Sequence, residues 1–159
     1  MASTAEQRLP APQDAPAWPP APVDIPGLPD IYAMQCVGDC MVPELVDGST
    51  LLFDKLSPVR EGDLVVIWKR PDLVRPGALP GIVKRLVLDV FKETYPYTPH
   101  PDDNVIPAIV VGMNNPPRRF HIRCDHIAAM HRCLGPVSRA SDGSACMSQA
   151  LIDAARRGE

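Results

Sequence analysis

Apolar residues in this chain fall in short runs separated by turn formers, and few windows carry a helical repeat. Ile31 to Val37 is the first β-rich run, and Gly38 breaks it. Thr50-Leu51-Leu52-Phe53-Asp54 follows the turn signal Asp47-Gly48. Leu64-Val65-Val66-Ile67-Trp68 follows a second turn at Glu61-Gly62-Asp63. Further strands are predicted from Ile82, over Ala108 to Met113, over Arg119 to Arg123 and over Ile127 to Leu134, with Asn114-Asn115-Pro116-Pro117 as a turn. Repeated turn-strand units at this spacing predict a mainly β domain. Pro43 favours the first turn of a short helix running through Leu45. Met147, Ala150, Leu151, Ala154 and Ala155 fall at helical spacing and predict a short, weakly amphipathic C-terminal helix, loosely held.

The strand from Ile82 breaks its own pattern. Side chains alternate across a strand, so Ile82, Lys84, Leu86, Leu88 and Val90 share one face. That face is apolar except for Lys84, whereas Arg85 and Asp89 lie on the opposite face with Val83, Val87 and Phe91. Two readings compete. Lys84 sits near a sheet rim and snorkels to water along its methylene stem. Alternatively it is desolvated, which disfavours the ammonium and makes the amine a usable base near neutral pH.

Prolines mark where the pattern stops. Pro10, Pro12, Pro16, Pro19, Pro20, Pro22, Pro26 and Pro29 fix φ and remove backbone donors, so residues 1–30 are predicted as a disordered or extended arm. The arm has no room for a helix-turn-helix. Lys69 to Gly81, with Pro71, Pro76 and Pro80, is predicted as a long hairpin connection, and Lys92 to Pro107 as a surface loop. The organisation expected is an arm over 1–30, a folded domain over 31–137, and a flexible tail with a short helix over 138–159.

Composition narrows the class. The 159 residues suffice for one domain plus tails, and a hydrophobic content of 45% is enough for a core. Lys and Arg number 16 against 19 Asp and Glu, a net charge of -3. With no basic excess, direct nucleic-acid binding is not expected, since phosphate contacts need clustered cations. No apolar run approaches the roughly 20 residues of a membrane span. No basic-plus-apolar leader is present, so the expected location is cytoplasmic. Five cysteines at irregular spacings favour free thiols, a reactive thiol or metal ligands over disulfides.

The candidate chemistry centres on Val37-Gly38-Asp39-Cys40-Met41-Val42-Pro43-Glu44-Leu45-Val46-Asp47-Gly48. A strand, a glycine turn, a cysteine and a helix start would expose the Cys40 side chain and aim backbone N–H groups at a developing oxyanion. The bland alternative makes Cys40 a small buried residue in a loop. If Lys84 is desolvated and meets Cys40, the two form a nucleophile and its general base. A different class is a zinc site from Cys36-x₃-Cys40, Cys124-x-His126 and His131-x-Cys133, although these spacings fit no common zinc module. Cys146 is assigned no role.

These boxes resemble those of the LexA/signal peptidase superfamily. Gly38-Asp39-Cys40-Met41 with Pro43 and Asp47-Gly48 resembles its Gly-Asp-Ser-Met-x-Pro…Asp-Gly box. Glu61-Gly62-Asp63-Leu64-Val65-Val66 resembles the strand that follows, and Val83-Lys84-Arg85-Leu86 the box that holds the family's lysine. Asn115-Pro116 and Ile127 to Val137 resemble its last strands. The likeness runs in order over about Ile31 to Val137 and is nearest to the LexA-, phage-repressor- and UmuD-like autoproteases. It implies a mostly β fold, a homodimer, no cofactor and no resident metal. It also implies a dyad in which Cys40, standing where the family has serine, is nucleophile and Lys84 is base. The backbone amides of Asp39 and Cys40 would hold the oxyanion, with Gly38, Met41, Pro43 and Gly48 supporting the motif. The implied substrate is a peptide segment of the chain's own arm or of a bound protein, and the implied setting is SOS-type transcription regulation. The alternative function is a catalytically degenerate domain kept for dimerisation or partner binding.

Overall fold

The computed structural model describes residues 5–6, 27–89, 107–139 and 145–159. The strands are β1 (Ala5–Glu6), β2 (Ile31–Gln35), β3 (Thr50–Asp54), β4 (Leu64–Lys69), β5 (Gly81–Leu88), β6 (Ala108–Asn114), β7 (Pro117–Arg123), β8 (Ile127–Pro136), β9 (Ser138–Arg139) and β10 (Ala145–Cys146). One α-helix, α1 (Gln149–Arg157), closes the chain. The mainly β reading holds. Apart from residues 5–6 and 27–30, the predicted N-terminal arm lies outside the described residues, as do Val90, Phe91 and most of the predicted loop from Lys92 to Pro107.

The main sheet is antiparallel and runs β2-β3-β8-β4-β5-β6-β7, with β1 paired to β5 off this path. β8 comes late in the chain but lies between β3 and β4. Sequence-adjacent β3 and β4 are therefore held together by a strand more than fifty residues further on, a non-local arrangement that local patterning does not encode. β4 and β5 form a hairpin in which Val65 faces Lys84 and Ile67 faces Ile82. Its connection contains a 3₁₀ turn at Pro71–Leu73, where proline supplies the needed φ.

Both faces of the sheet carry a core. Along β4, Val66 and Trp68 join one buried cluster with Tyr32, Met34, Phe53, Val83 and Met113. Val65 and Ile67 join the other, with Ile82, Leu86, Ile109, Val111 and Ile127. Period-two alternation in an apolar run buried on both sides produces this division. The expectation of a solvent face on β5 holds only in part, because Val83 is fully buried and Leu88 is exposed. Arg85 is half-buried and Asp89 lies beyond the strand.

Pro43 to Leu45 does not become a helix. Residues 40–44 are turns, with Val42 N–H donating to Asp39 O and Leu45 N–H to Met41 O. The carbonyl of Cys40, which a helix would use internally, instead accepts the backbone N–H groups of Asn114 and Asn115, each at 2.9 Å. Tertiary hydrogen bonds claim the acceptor that would have propagated the helix.

The C-terminal helix is anchored rather than loose. Ile152 and Ala155 are buried, and Arg156 grips the fully buried Asp54 through Nε at 2.9 Å and Nη2 at 3.2 Å. Arg132 donates to the carbonyls of Ala155 and Glu159, both at 3.1 Å, tying the end of the helix to β8. Gly158 caps the end in the left-handed region at φ 80°. Among the described residues, no helix is long and apolar enough to cross a membrane.

Candidate active site

Two glycines shape the loop that carries Cys40. Gly38 and Gly48 adopt φ of 100° and 82°, a region that costs a residue with a Cβ about 1 kcal/mol or more. Gly38 N–H donates to the Asp47 carboxylate at 2.8 Å, and Gly48 N–H to the Cys36 carbonyl at 2.8 Å, so the loop's two ends are pinned together. The turn between β6 and β7 holds its middle. Besides the two bonds to the Cys40 carbonyl, Asn114 Nδ2 donates to Met41 O at 3.2 Å and Asn115 Nδ2 to Asp39 O at 3.4 Å. Arg85, the neighbour of Lys84, forms an ion pair with Glu44 and donates to the Gly62 carbonyl, tying the same loop to β5.

These restraints bring Cys40 to Lys84. Lys84 Nζ donates to Cys40 Sγ at 3.0 Å, and both residues are 0% exposed. Lys84 therefore does not snorkel to a rim. Burial pushes its pKa below the ordinary lysine value of 10.5, and the contact with Cys40 restores only part of the fall. A buried amine that gives up its proton more readily, against a thiol, is the arrangement proton abstraction requires.

Other thiols crowd the same core. Cys36 and Cys133 belong to the cluster that contains Cys40. Burial raises the Cys36 thiol to about 11, with smaller contributions from Cys40 and Asp47, and burial raises Cys133 to about 12. Cys36, Cys40, Cys124 and Cys133 are thiols rather than disulfide halves. Cys124 packs in the other core, and His131 Nδ1 shares a hydrogen bond of 2.7 Å with Tyr32 Oη, which also accepts from Trp68 Nε1 at 3.1 Å. The residues considered for zinc are thus divided between two faces, and among the described residues no three His, Cys, Asp or Glu gather where they could hold a metal ion.

Of the residues singled out in the sequence, Gly38, Asp39, Cys40, Met41, Pro43 and Gly48 share one loop, and Lys84 reaches it from β5. Met41 is buried in the core beside Cys40. Sequence reading did not single out Asn114, Asn115, Arg85 and Asp47 as the residues that position the loop. Asn114-Asn115 reads locally as a turn signal, and nothing local says which carbonyl the turn will meet.

Comparison of the chain with protein-family models, curated proteins and solved structures finds no match in any of the three.

Proposed function

We propose that this chain is a cytoplasmic peptidase-like protein of LexA/signal-peptidase type, using Cys40 as nucleophile and Lys84 as general base. The observation that carries the reading is the 3.0 Å contact between Lys84 Nζ and Cys40 Sγ inside the core. In the proposed reaction, neutral Lys84 takes the Cys40 proton and the thiolate adds to a peptide carbonyl carbon. The amides of Asp39 and Cys40 hold the oxyanion. The Lys84 ammonium then protonates the departing amine, leaving a thioester that water hydrolyses with Lys84 again as base.

The substrate in this reading is the chain's own arm or a segment of a bound protein, in a homodimer. Support for self-action comes from β1: Ala5 pairs with Val83 and Glu6 with Ile82, the two residues preceding Lys84. An extended stretch of the arm thus lies along the strand that carries the base, which is how strand addition presents a peptide. Incubating the full chain at mildly alkaline pH is expected to yield a fragment that Cys40→Ala and Lys84→Ala do not produce. If wild type and Cys40→Ala behave identically, both towards peptide substrates and towards a thiol-reactive probe, the catalytic reading is wrong.

A second reading draws on the same burial. With Cys40 and Lys84 both at 0% exposure, an outside peptide meets a closed site. A degenerate domain kept for dimerisation or partner binding fits that closure. It predicts a stable dimer, no cleavage and partner binding that tolerates Lys84→Ala.

A further inference from the structure

The pairing of a thiol with an amine in a water-poor core has a consequence independent of peptide cleavage. We propose that Cys40 and Lys84 form a peroxide-responsive modification site, in which Cys40 is oxidised to its sulfenic acid and Lys84 then closes on it to give a sulfenamide cross-link. The chemical class of the reactant is a small neutral hydroperoxide, hydrogen peroxide being the simplest.

Two steps balance the reaction. Cys40 sulfur attacks one peroxide oxygen, the O–O bond breaks, sulfur is oxidised by two electrons and one water leaves. The Lys84 nitrogen lone pair then attacks the sulfenic sulfur, the S–O bond breaks, and the hydroxyl departs as a second water with one amine proton. A thiol, an amine and a peroxide become an S–N bond and two waters. Sulfenic acids condense with nitrogen in this way when a nitrogen is held against them.

Three observations favour Lys84 as the group that captures the sulfenic acid. Its nitrogen already touches the sulfur at 3.0 Å, so capture needs no search. Its burial keeps bulk water and larger thiols away from the intermediate. Burial also lowers its pKa, enlarging the neutral fraction whose lone pair attacks. The rival is Cys36, buried in the same core, but its thiol is pushed up to about 11 and supplies little thiolate near neutral pH. Peroxide is small enough to enter through local openings that would not admit a protein segment. The cross-link consumes both members of the pair, and an external thiol reverses it by attacking the sulfur and releasing the amine.

The sequence supplies a clean test. Trypsin leaves Cys36 and Cys40 together in peptide 9–55, while a blocked Lys84 falls in peptide 70–85. Full-length protein treated with hydrogen peroxide and digested without reductant is expected to give these two peptides joined, two hydrogens lighter than their sum. The product should form equally in Cys36→Ser, vanish in Cys40→Ser and Lys84→Met, and separate on adding dithiothreitol. Loss of two hydrogens confined to peptide 9–55 would mean a Cys36–Cys40 disulfide and overturn the proposal. So would Cys40 ending as sulfinic acid with no link, or a link carrying an extra oxygen. These outcomes are read whether or not the protein cleaves any peptide.

Discussion

Lys84 Nζ meets Cys40 Sγ at 3.0 Å across 44 positions of sequence, a strand side chain reaching a loop that glycine turns and asparagine hydrogen bonds hold in place. A base of this kind works only when neutral. Because burial sets the Lys84 pKa below 10.5, any Cys40-dependent cleavage should rise with pH through a midpoint lower than an ordinary lysine's. Lys84→Met should lower the rate by about 10²-fold or more and remove that limb of the profile. A rate unaffected by the substitution would remove Lys84 from the chemistry.

The same burial has a cost in stability. Unfolded Lys84 keeps its proton up to about 10.5, whereas the folded form releases it at lower pH. Between the two values the unfolded chain binds more protons, so this group makes stability rise with pH there, and its penalty is full below the folded value. Lys84→Met should therefore unfold in urea at a midpoint equal to or above wild type at neutral pH, and lose the alkaline rise. Destabilisation by more than about 1 kcal/mol would show that the amine's contacts outweigh its desolvation.

The helix clamp contributes stability where Lys84 costs it, although both groups make stability rise with pH. Burial pushes the Asp54 pKa up, but hydrogen bonds from Arg156, Ser57 Oγ at 2.7 Å and Leu56 N–H at 3.1 Å override it, leaving the carboxyl below 3.8. A depressed acid contributes stability that is present above 3.8 and lost as pH falls through the folded value. Helix α1 should undock on acidification, seen as early proteolysis after Arg156 or Arg157. Arg156→Ala should lower the urea midpoint clearly, because it strips a buried carboxylate of its main partner. A loss within about 0.5 kcal/mol would mean that the helix is held by Ile152 and Ala155 alone.

Asn114→Ala tests whether the β6–β7 turn positions the nucleophile. It removes the 3.2 Å bond to Met41 O but spares the backbone bonds to Cys40. Stability should fall by about 1 kcal/mol, and any cleavage rate by about 10-fold through a small displacement of Cys40. Equal loss in the peroxide reaction is expected, since both need the same contact. A variant that keeps both rates would leave the turn a purely structural support.

Gly48→Ala should cost about 1 kcal/mol although open space surrounds the position. The penalty comes from φ 82°, not from a clash, and thermal unfolding measures it directly. An unchanged melting temperature would show that the loop relaxes freely.

Local pattern alone placed the longer strands and the oddity of Lys84, because period-two alternation and turn residues act over a few positions. The two-residue strands β1, β9 and β10 were not expected. Thr50–Asp54 was legible in full and the run from Leu64 all but its last residue. Of the face Ile82, Lys84, Leu86, Leu88 and Val90, the first three are buried, Leu88 is exposed and Val90 lies outside the described residues. Only the tertiary structure decided that residues 40–44 turn instead of coiling, since Asn114 and Asn115 take the Cys40 carbonyl from more than seventy residues away. It also decided that β8 enters between β3 and β4, and that Arg156 closes on Asp54 across 102 positions. Such contacts depend on register and sheet order, which are set by the sum of many weak distant interactions. No local window of sequence contains that sum.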